Sequence, residues 1–292
     1  MRISFRMSRE RGKGKRGKGI ARWRFAGLAL VLLLGSVGAS EKRPRVISMA
    51  PHLTELAFAA GGGDRLVGVV DWSDYPAEAA ALPLIGDAFR FDLERIMGLD
   101  PDLALAWRGG TPQAVTEQLD QLGIDVLWIG TQTLEQIAVA LETIGDALGE
   151  SQAGREAARQ FRSALDDVSQ AGTAGRAPTR VFYQVSARPL YTLGGRHVIN
   201  EVFRRCNMTN VFESLDIEAA VVDREAVLAA APDLIIAGAG SDQDDPLEDW
   251  RNSTLFEQKR TALHTVDPDL LIRPTPRILQ GINHLCTLNP EP

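Results

Sequence analysis

Cysteine is nearly absent: the 292 residues hold only Cys206 and Cys286. No C-x-x-C spacing and no zinc-type spacing is present, which excludes a thioredoxin-like redox motif and a cysteine-bound structural metal. A lone late pair is either one disulfide closing a long loop, contributing about 2–4 kcal/mol, or two separate buried thiols. Histidine is also scarce, at four residues with no i, i+4 pair, so direct ligation of a metal ion by the protein is not expected. Catalytic signatures are missing as well. There is no G-x-S-x-G elbow, no P-loop and no G-x-G-x-x-G after a strand. The glycine cluster GGGD at 61–64 follows a helical segment and reads as a helix stop. Asp71 and Asp74 form a conceivable acid pair, but no nucleophile or metal constellation accompanies them. A secreted α/β enzyme therefore stays a minor alternative, and the chain is read as a non-enzyme. An adhesion or interaction module would need repeats beyond two and an exposed apolar patch, and neither is evident in the sequence.

No apolar run is long enough to span a bilayer. The longest, AGLALVLLLGSVGAS at 26–40, follows a segment with ten Lys or Arg against one Glu. Its small residues include Val37 and Ala39 where a signal peptidase reads. Residues 1–39 are read as a secretory signal peptide; no stop-transfer pattern follows, and no cysteine closes the run to take a lipid. Removing them leaves 22 basic against 37 acidic residues, a net charge of −15 where the whole chain has −6. So acidic an exported protein is a poor match for nucleic acid or an anionic membrane and suits a soluble ligand or a basic patch on a partner.

What the chain does have is alternation, with 45% apolar residues. RVISMA (45–50), LVGVV (66–70), DLALAW (102–107) and DVLWIG (125–130) read as strands. Helical spacing lies between them, in HLTELAFAAG and near 112–122 and 133–148. Continuous apolar strands alternating with helices predict a parallel sheet covered on both faces. One amphipathic helix is expected over 150–171. After it the alternation restarts: RVFYQV (180–185), helices near 197–206 and from 224, DLIIAG (233–238), a helix near 246–258, ALHTV (262–266), and a last helix from about 275. The reading is α/β, with two Rossmann-like lobes at 40–149 and 176–292 joined through a helix and loop at 150–175. A helical connection is stiffer than coil, so opening between the lobes should be small.

One unit occurs twice. DLERIMGLDPDLALAW (92–107) and DREAVLAAAPDLIIAG (223–238) both open Asp-x-Glu and reach Pro-Asp-Leu seven residues after the glutamate. Asp92 and Asp223 are natural N-caps, and Glu94 and Glu225 sit in first turns, where the helix dipole favours a carboxylate. Capping accounts for either glutamate singly but not for repetition across two lobes. A pseudo-twofold would put the two carboxylates on one outer face.

The chain resembles the periplasmic cobalamin-binding proteins of ABC importers, within the wider group that binds siderophores, haem and other metal chelates. The resemblance covers about residues 44–288. It rests on PRVISMAPHLTELAFAAGGGDRLVGVVDWSDYP (44–76), DLERI with PDLALAWRGG, QLGIDVLWI, VFYQ with YTLGG and NEVFRRCNMTNVF, REAVLAAAPDLIIAG, and PRI…LC near the end, in family order. It implies a class III substrate-binding protein: soluble, periplasmic, monomeric, without a cofactor of its own, and carrying a corrinoid to a permease dimer in the inner membrane. It places Glu94 and Glu225 at the positions that pair with permease arginines, and it implies a Cys206 to Cys286 disulfide.

A corrinoid is flat, large and amphipathic, so its cleft needs aromatic walls and a few polar groups. The candidates are Trp72, Tyr75, Phe89, Trp107, Arg108, Tyr183 and Arg188, with Asp269, Leu270, Leu271, Ile272 and Arg273 in DLLIR; Phe91 precedes Glu94 beside Phe89, and His52, at the start of a helix, is placed to face the cleft. By resemblance Trp72 replaces an aromatic that contacts the corrinoid, and DLLIR matches a ligand-contacting loop. Trp128, in mid-strand, is read as core. Ala88 and Ala219 stand where some cobalamin binders carry tryptophan, which leaves a smaller corrinoid or another chelate, a ferric siderophore or haem, as the alternative ligand.

Overall fold

A computed structural model of the chain describes residues 43–87, 90–168, 177–239, 245–252 and 261–288. Residues 1–39, expected as a signal peptide, and Phe89 lie outside them, as does the second half of the helix expected near 246–258.

The first sheet is built from β1 (Val46–Ser48), β2 (Leu66–Val69), β3 (Leu103–Trp107) and β4 (Asp125–Ile129) in the order β2-β1-β3-β4, all parallel. Its connections are α1 (Pro51–Ala59), α2 (Leu93–Gly98) and α3 (Gln113–Gln121), and α4 (Leu134–Ala147) follows β4. In the second lobe β5 (Thr179–Ala187) is long enough to serve two partners on one edge. Its start pairs in parallel with β7 (Met208–Asn210), and its end turns back into the antiparallel β6 (Leu190–Leu193), which then pairs with β8 (Ala219–Val221). On the other edge lie β9 (Leu234–Gly238) and β10 (Ala262–Val266), both parallel. The order β7-β5-β9-β10 thus repeats β2-β1-β3-β4, and even the register agrees, with Val46 opposite Leu103 and Val181 opposite Leu234. Helices α6 (Ile199–Arg205), α7 (Arg224–Ala230), α8 (Glu248–Arg251) and α9 (Ile278–Thr287) complete the lobe.

Strand side chains alternate faces, and here both faces are apolar, as the sequence predicts. Val46, Leu105, Val181, Tyr183, Leu234 and Ile236 point into one buried cluster, which runs through α4 and the connecting helix α5 (Ser151–Asp167) and spans both lobes. Ile47, Ala104 and Ala106 point to a second cluster behind the first sheet; Phe182, Ile235 and Ala237 point to a third behind the second sheet. Trp128 packs at the edge of the second.

Helix α5 folds back along α4. The two backbones touch where a Cβ on Gly145 would lie 2.8 Å from the Cα of Gly154, so neither position has room for a side chain. Arg162 on α5 then bonds Glu135 and Glu142 on α4, both at 2.6 Å. The second lobe is tied to this hairpin twice. Glu201 of α6 accepts the backbone N–H of Leu134 at 2.7 Å, satisfying a donor at the start of α4, and Arg205 donates to the carbonyl of Leu165 at 3.0 Å. Cys206, at the end of α6, is disulfide-bonded to Cys286 in α9, with Cα atoms 4.7 Å apart and a sequence separation of 80.

Candidate ligand cleft and docking surface

In open parallel sheets the loops at the carboxyl ends of the strands form the binding crevice. In the first lobe these loops carry Asp71 to Tyr75 after β2 and Arg108 to Gly110 after β3. In the second they carry Arg188 after β5 and Asp267 to Arg273 after β10. The candidates fall into three groups.

The first group joins the lobes. Arg273 bonds Asp74 of the first lobe at 2.6 Å, Asp269 at 2.9 Å and Glu55 of α1 at 3.2 Å. Arg277 bonds Glu55 at 2.6 Å, and its guanidinium lies 4.1 Å from the centre of the Tyr75 ring. Glu55 is only 3% exposed and is the anion shared by both arginines. Burial works against the Asp74 carboxylate, but the bond and charge of Arg273 outweigh it and hold its pKa below the ordinary value. Asp269 goes the other way, its carboxyl pushed up by burial. A cavity of about 520 Å³ opens beside this seam, walled by Phe58, Tyr75, Pro76 and Pro276.

The second group is a buried polar floor. His52 meets Trp107 edge to face at 5.2 Å between ring centres. Its pKa is lowered to about 3, first by burial and then by the nearby charge of Arg273, so the ring is neutral. His197 is lowered to about 4 by burial, and its Nδ1 accepts the backbone N–H of Ile199 at 3.1 Å. Tyr183 is fully buried, and burial together with Asp267 and Asp269 prevents its ionisation. His52 Nε2, Trp107 Nε1, Tyr183 Oη and Thr275 Oγ1 have no hydrogen-bond partner among the described residues. Tyr183 and Leu271 are thus core side chains here, while Leu270 and Ile272 are half-buried.

The third group is open to solvent. Trp72 is 77% exposed on a left-handed backbone (φ 66°). Arg188 reaches Asp249 at 3.4 Å, and Arg108 is exposed beside a separate cavity of about 560 Å³ that it lines with Gln113, Thr116 and Trp128. Phe91 packs at the edge of the second cluster. Among the described residues no three His, Cys, Asp or Glu are grouped to hold a metal ion.

Glu55, Arg277, His197 and Glu218 were not among the sequence candidates. Glu55 sits in a helix whose residues 52–57 are all buried, so the one acidic side chain there needed a cation. That signal was in the sequence; the cation, more than 200 residues away, was not.

Glu94 and Glu225 are both exposed, each two residues after a capping aspartate. Asp92 accepts the N–H of Arg95 at 3.0 Å and Asp223 that of Ala226 at 2.7 Å. Helices α2 and α7 each lead directly into a strand of their sheet, β3 and β9, so both start at the level of the strands' carboxyl ends.

A model of the periplasmic binding protein family matches residues 46–258. The vitamin B12-binding protein of Vibrio parahaemolyticus serotype O3:K6 is 36% identical over 249 residues, covering 85% of this chain and 90% of the relative. That of Pectobacterium atrosepticum is 34% identical over 83% and 87% of the two chains. Among solved structures, the periplasmic vitamin B12 binding protein BtuF of Vibrio cholerae superposes with a TM-score of 0.74 at 35% identity, covering 84% of this chain and 95% of its own. The haem-binding protein BhuT, at 23% identity and a TM-score of 0.73, shares the fold. With two lobes of one topology, a connecting helix and sequence identity along nearly the whole described chain, this protein belongs to the periplasmic binding protein family.

Proposed function

We propose that the protein captures cobalamin or a related corrinoid between its two lobes and delivers it to the permease dimer of an ABC importer. The observation that carries this reading is identity of about a third, over more than four-fifths of the chain, with proteins named for vitamin B12 binding. The haem-binding protein BhuT stands at 23% and shares the fold alone. Binding rather than catalysis is the activity proposed.

Trp72, Tyr75 and Trp107 supply aromatic surface, and Asp269, Arg273, Arg108 and Arg188 the polar groups, with Leu270 and Ile272 at the margins; Tyr183 and Leu271 support the cleft from beneath. Glu94 and Glu225, one per lobe, are the acidic contacts for the permease's cations. Residues 1–39 direct export, and the mature protein works in the periplasm as a monomer, with lobes at 40–149 and 176–292 and a connection at 150–175. The bonds from Glu201 to α4, and from Arg273 and Arg277 to Glu55, favour small closure over wide opening.

The test is retention of ligand through gel filtration after mixing with cobalamin. The corrin absorbance is expected to travel with the protein at one equivalent; absorbance eluting only at the position of free cobalamin contradicts the reading.

A further inference from the structure

Two glycine pairs, one in each lobe, place a tryptophan and a glutamate against one another. In the first lobe the turn Arg108-Gly109-Gly110 wraps the indole of Trp107: a Cβ on Gly110 would collide with the ring, and one on Gly109 would lie 2.7 Å from Trp107 Cε2. In the second lobe Gly194 and Gly195 hold the segment 213–218 by its backbone. Gly194 N–H donates to the Glu218 carbonyl at 2.9 Å, Gly195 N–H to Leu215 at 2.7 Å and Arg196 N–H to Ile217 at 3.2 Å. Side chains at these glycines would strike the carbonyls of Ile217 and Glu213. So clamped, Glu218 reaches the first lobe, and its Oε2 would also collide with a Cβ on Gly109. Carboxylate and indole therefore meet at a position that only glycine leaves free.

Glu218 is half-buried. No ion pair or hydrogen bond to its carboxylate is seen among the described residues, in contrast to Glu55, Asp74 and Asp269. Burial alone pushes its carboxyl pKa upward, with no cation counteracting it. A half-desolvated acceptor is stabilised by an incoming N–H donor and repels an incoming anion.

Building on the functional reading above, we infer that Glu218 is a specificity-determining residue of the cleft, accepting hydrogen bonds from carboxamide groups on the ligand's rim and rejecting chelates whose rim carries free carboxylates. Discrimination of this kind rests on the cost imposed on the wrong ligand as much as on contacts to the right one. Haem, with its propionates, belongs to the rejected class, and an amide-decorated corrinoid to the accepted one.

The test holds the macrocycle constant. Wild type, E218Q and E218A are titrated with cobinamide, whose rim carries amides, and with cobyrinic acid, whose rim carries carboxylates, and thermal melts confirm that each variant is folded. Wild type is expected to prefer cobinamide by about tenfold or more. E218Q and E218A are expected to narrow that ratio about tenfold, chiefly by admitting the acid. A ratio unchanged in E218Q overturns the assignment, as does an equal loss for both corrinoids, which would mark a packing role. Failure of wild type to bind either corrinoid overturns the functional reading itself and this assignment with it.

Discussion

The carboxylate of Asp102 accepts the backbone N–H of Arg45 at 2.8 Å, and the N–H of Asp102 returns a bond to the Arg45 carbonyl at 2.8 Å. Asp233 and Arg180 repeat both bonds in the second lobe, at 2.9 and 2.8 Å. In each lobe the arginine side chain also donates to carbonyls ending the preceding helix, those of Leu99 and Asp100 in one and of Ala230 in the other. The residue before each proline, Asp100 or Ala231, is left-handed at φ 47°. The sequence echo is thus a structural unit of capped helix, left-handed stop, proline and strand, fastened to the first strand of its lobe by an Arg-Asp clasp. Repetition of the clasp puts Glu94 and Glu225 at equivalent places.

Charge reversal at both, E94K with E225K, is expected to abolish cobalamin-dependent growth of cells relying on this protein while leaving the affinity of the purified protein within about twofold. Each side chain is exposed, with no ion pair to lose among the described residues, so stability should fall only by the helix-dipole contribution at the two N-termini, about 0.5–2 kcal/mol in all. Loss of affinity in solution would contradict the docking role.

Glu55 is the buried anion between two arginines of the other lobe. Substituting Gln leaves Arg273 with two of its three carboxylates and Arg277 with none among the described residues, and stability should fall by about 3–5 kcal/mol in urea unfolding. The effect should far exceed that of removing Glu156, whose bond to Arg159 lies on the surface. Equal small losses would show that the seam contributes no more than a surface pair.

The two neutral histidines make the fold acid-sensitive. Their folded pKa values, about 3 for His52 and about 4 for His197, lie below 6.5. As pH falls through 6.5 the unfolded chain takes up protons that the folded chain does not. Stability is therefore full above pH 6.5 and decreases below it, by about 2 kcal/mol per histidine at pH 5. Asp74, with its lowered pKa, adds a loss of the same sign at lower pH. Unfolding free energies at pH 7.5 and 5.0 should differ less in H197N than in wild type; an identical slope would contradict the neutral state of the half-buried His197.

Reduction of the disulfide, or the C206A/C286A pair, should lower stability by about 2–4 kcal/mol, because the bond closes an 80-residue separation. It joins α6 to α9, away from the candidate cleft loops, so ligand affinity should be unchanged. A parallel loss of affinity would place the bond's effect in the cleft.

The strands were legible because each is a run apolar on both faces; all seven expected from such runs are present. The short strands β6, β7 and β8 were not. LYTL, MTN and AAV carry too little apolar pattern to register, and β7 and β6 exist because β5 is long enough to take both on one edge. Helix α5 was read as beginning at 150 and is described as far as Asp167. In the site, Tyr75, Asp269 and Arg273 could be picked out as loop residues after strands. Their meeting through Glu55 and Arg277 could not, since it depends on contacts spanning 199 to 222 residues. Glu218 was hidden for the same reason: only the packing of two distant glycine pairs brings it to Trp107.

Isothermal titration calorimetry of residues 40–292 with cobalamin, cobinamide, haem and a ferric siderophore tests the central claim most directly. The account predicts saturable one-to-one heat with the two corrinoids and at least tenfold weaker binding of haem and siderophore. Saturable heat with haem or siderophore and none with either corrinoid would contradict it, leaving the fold and family in place and the ligand reassigned.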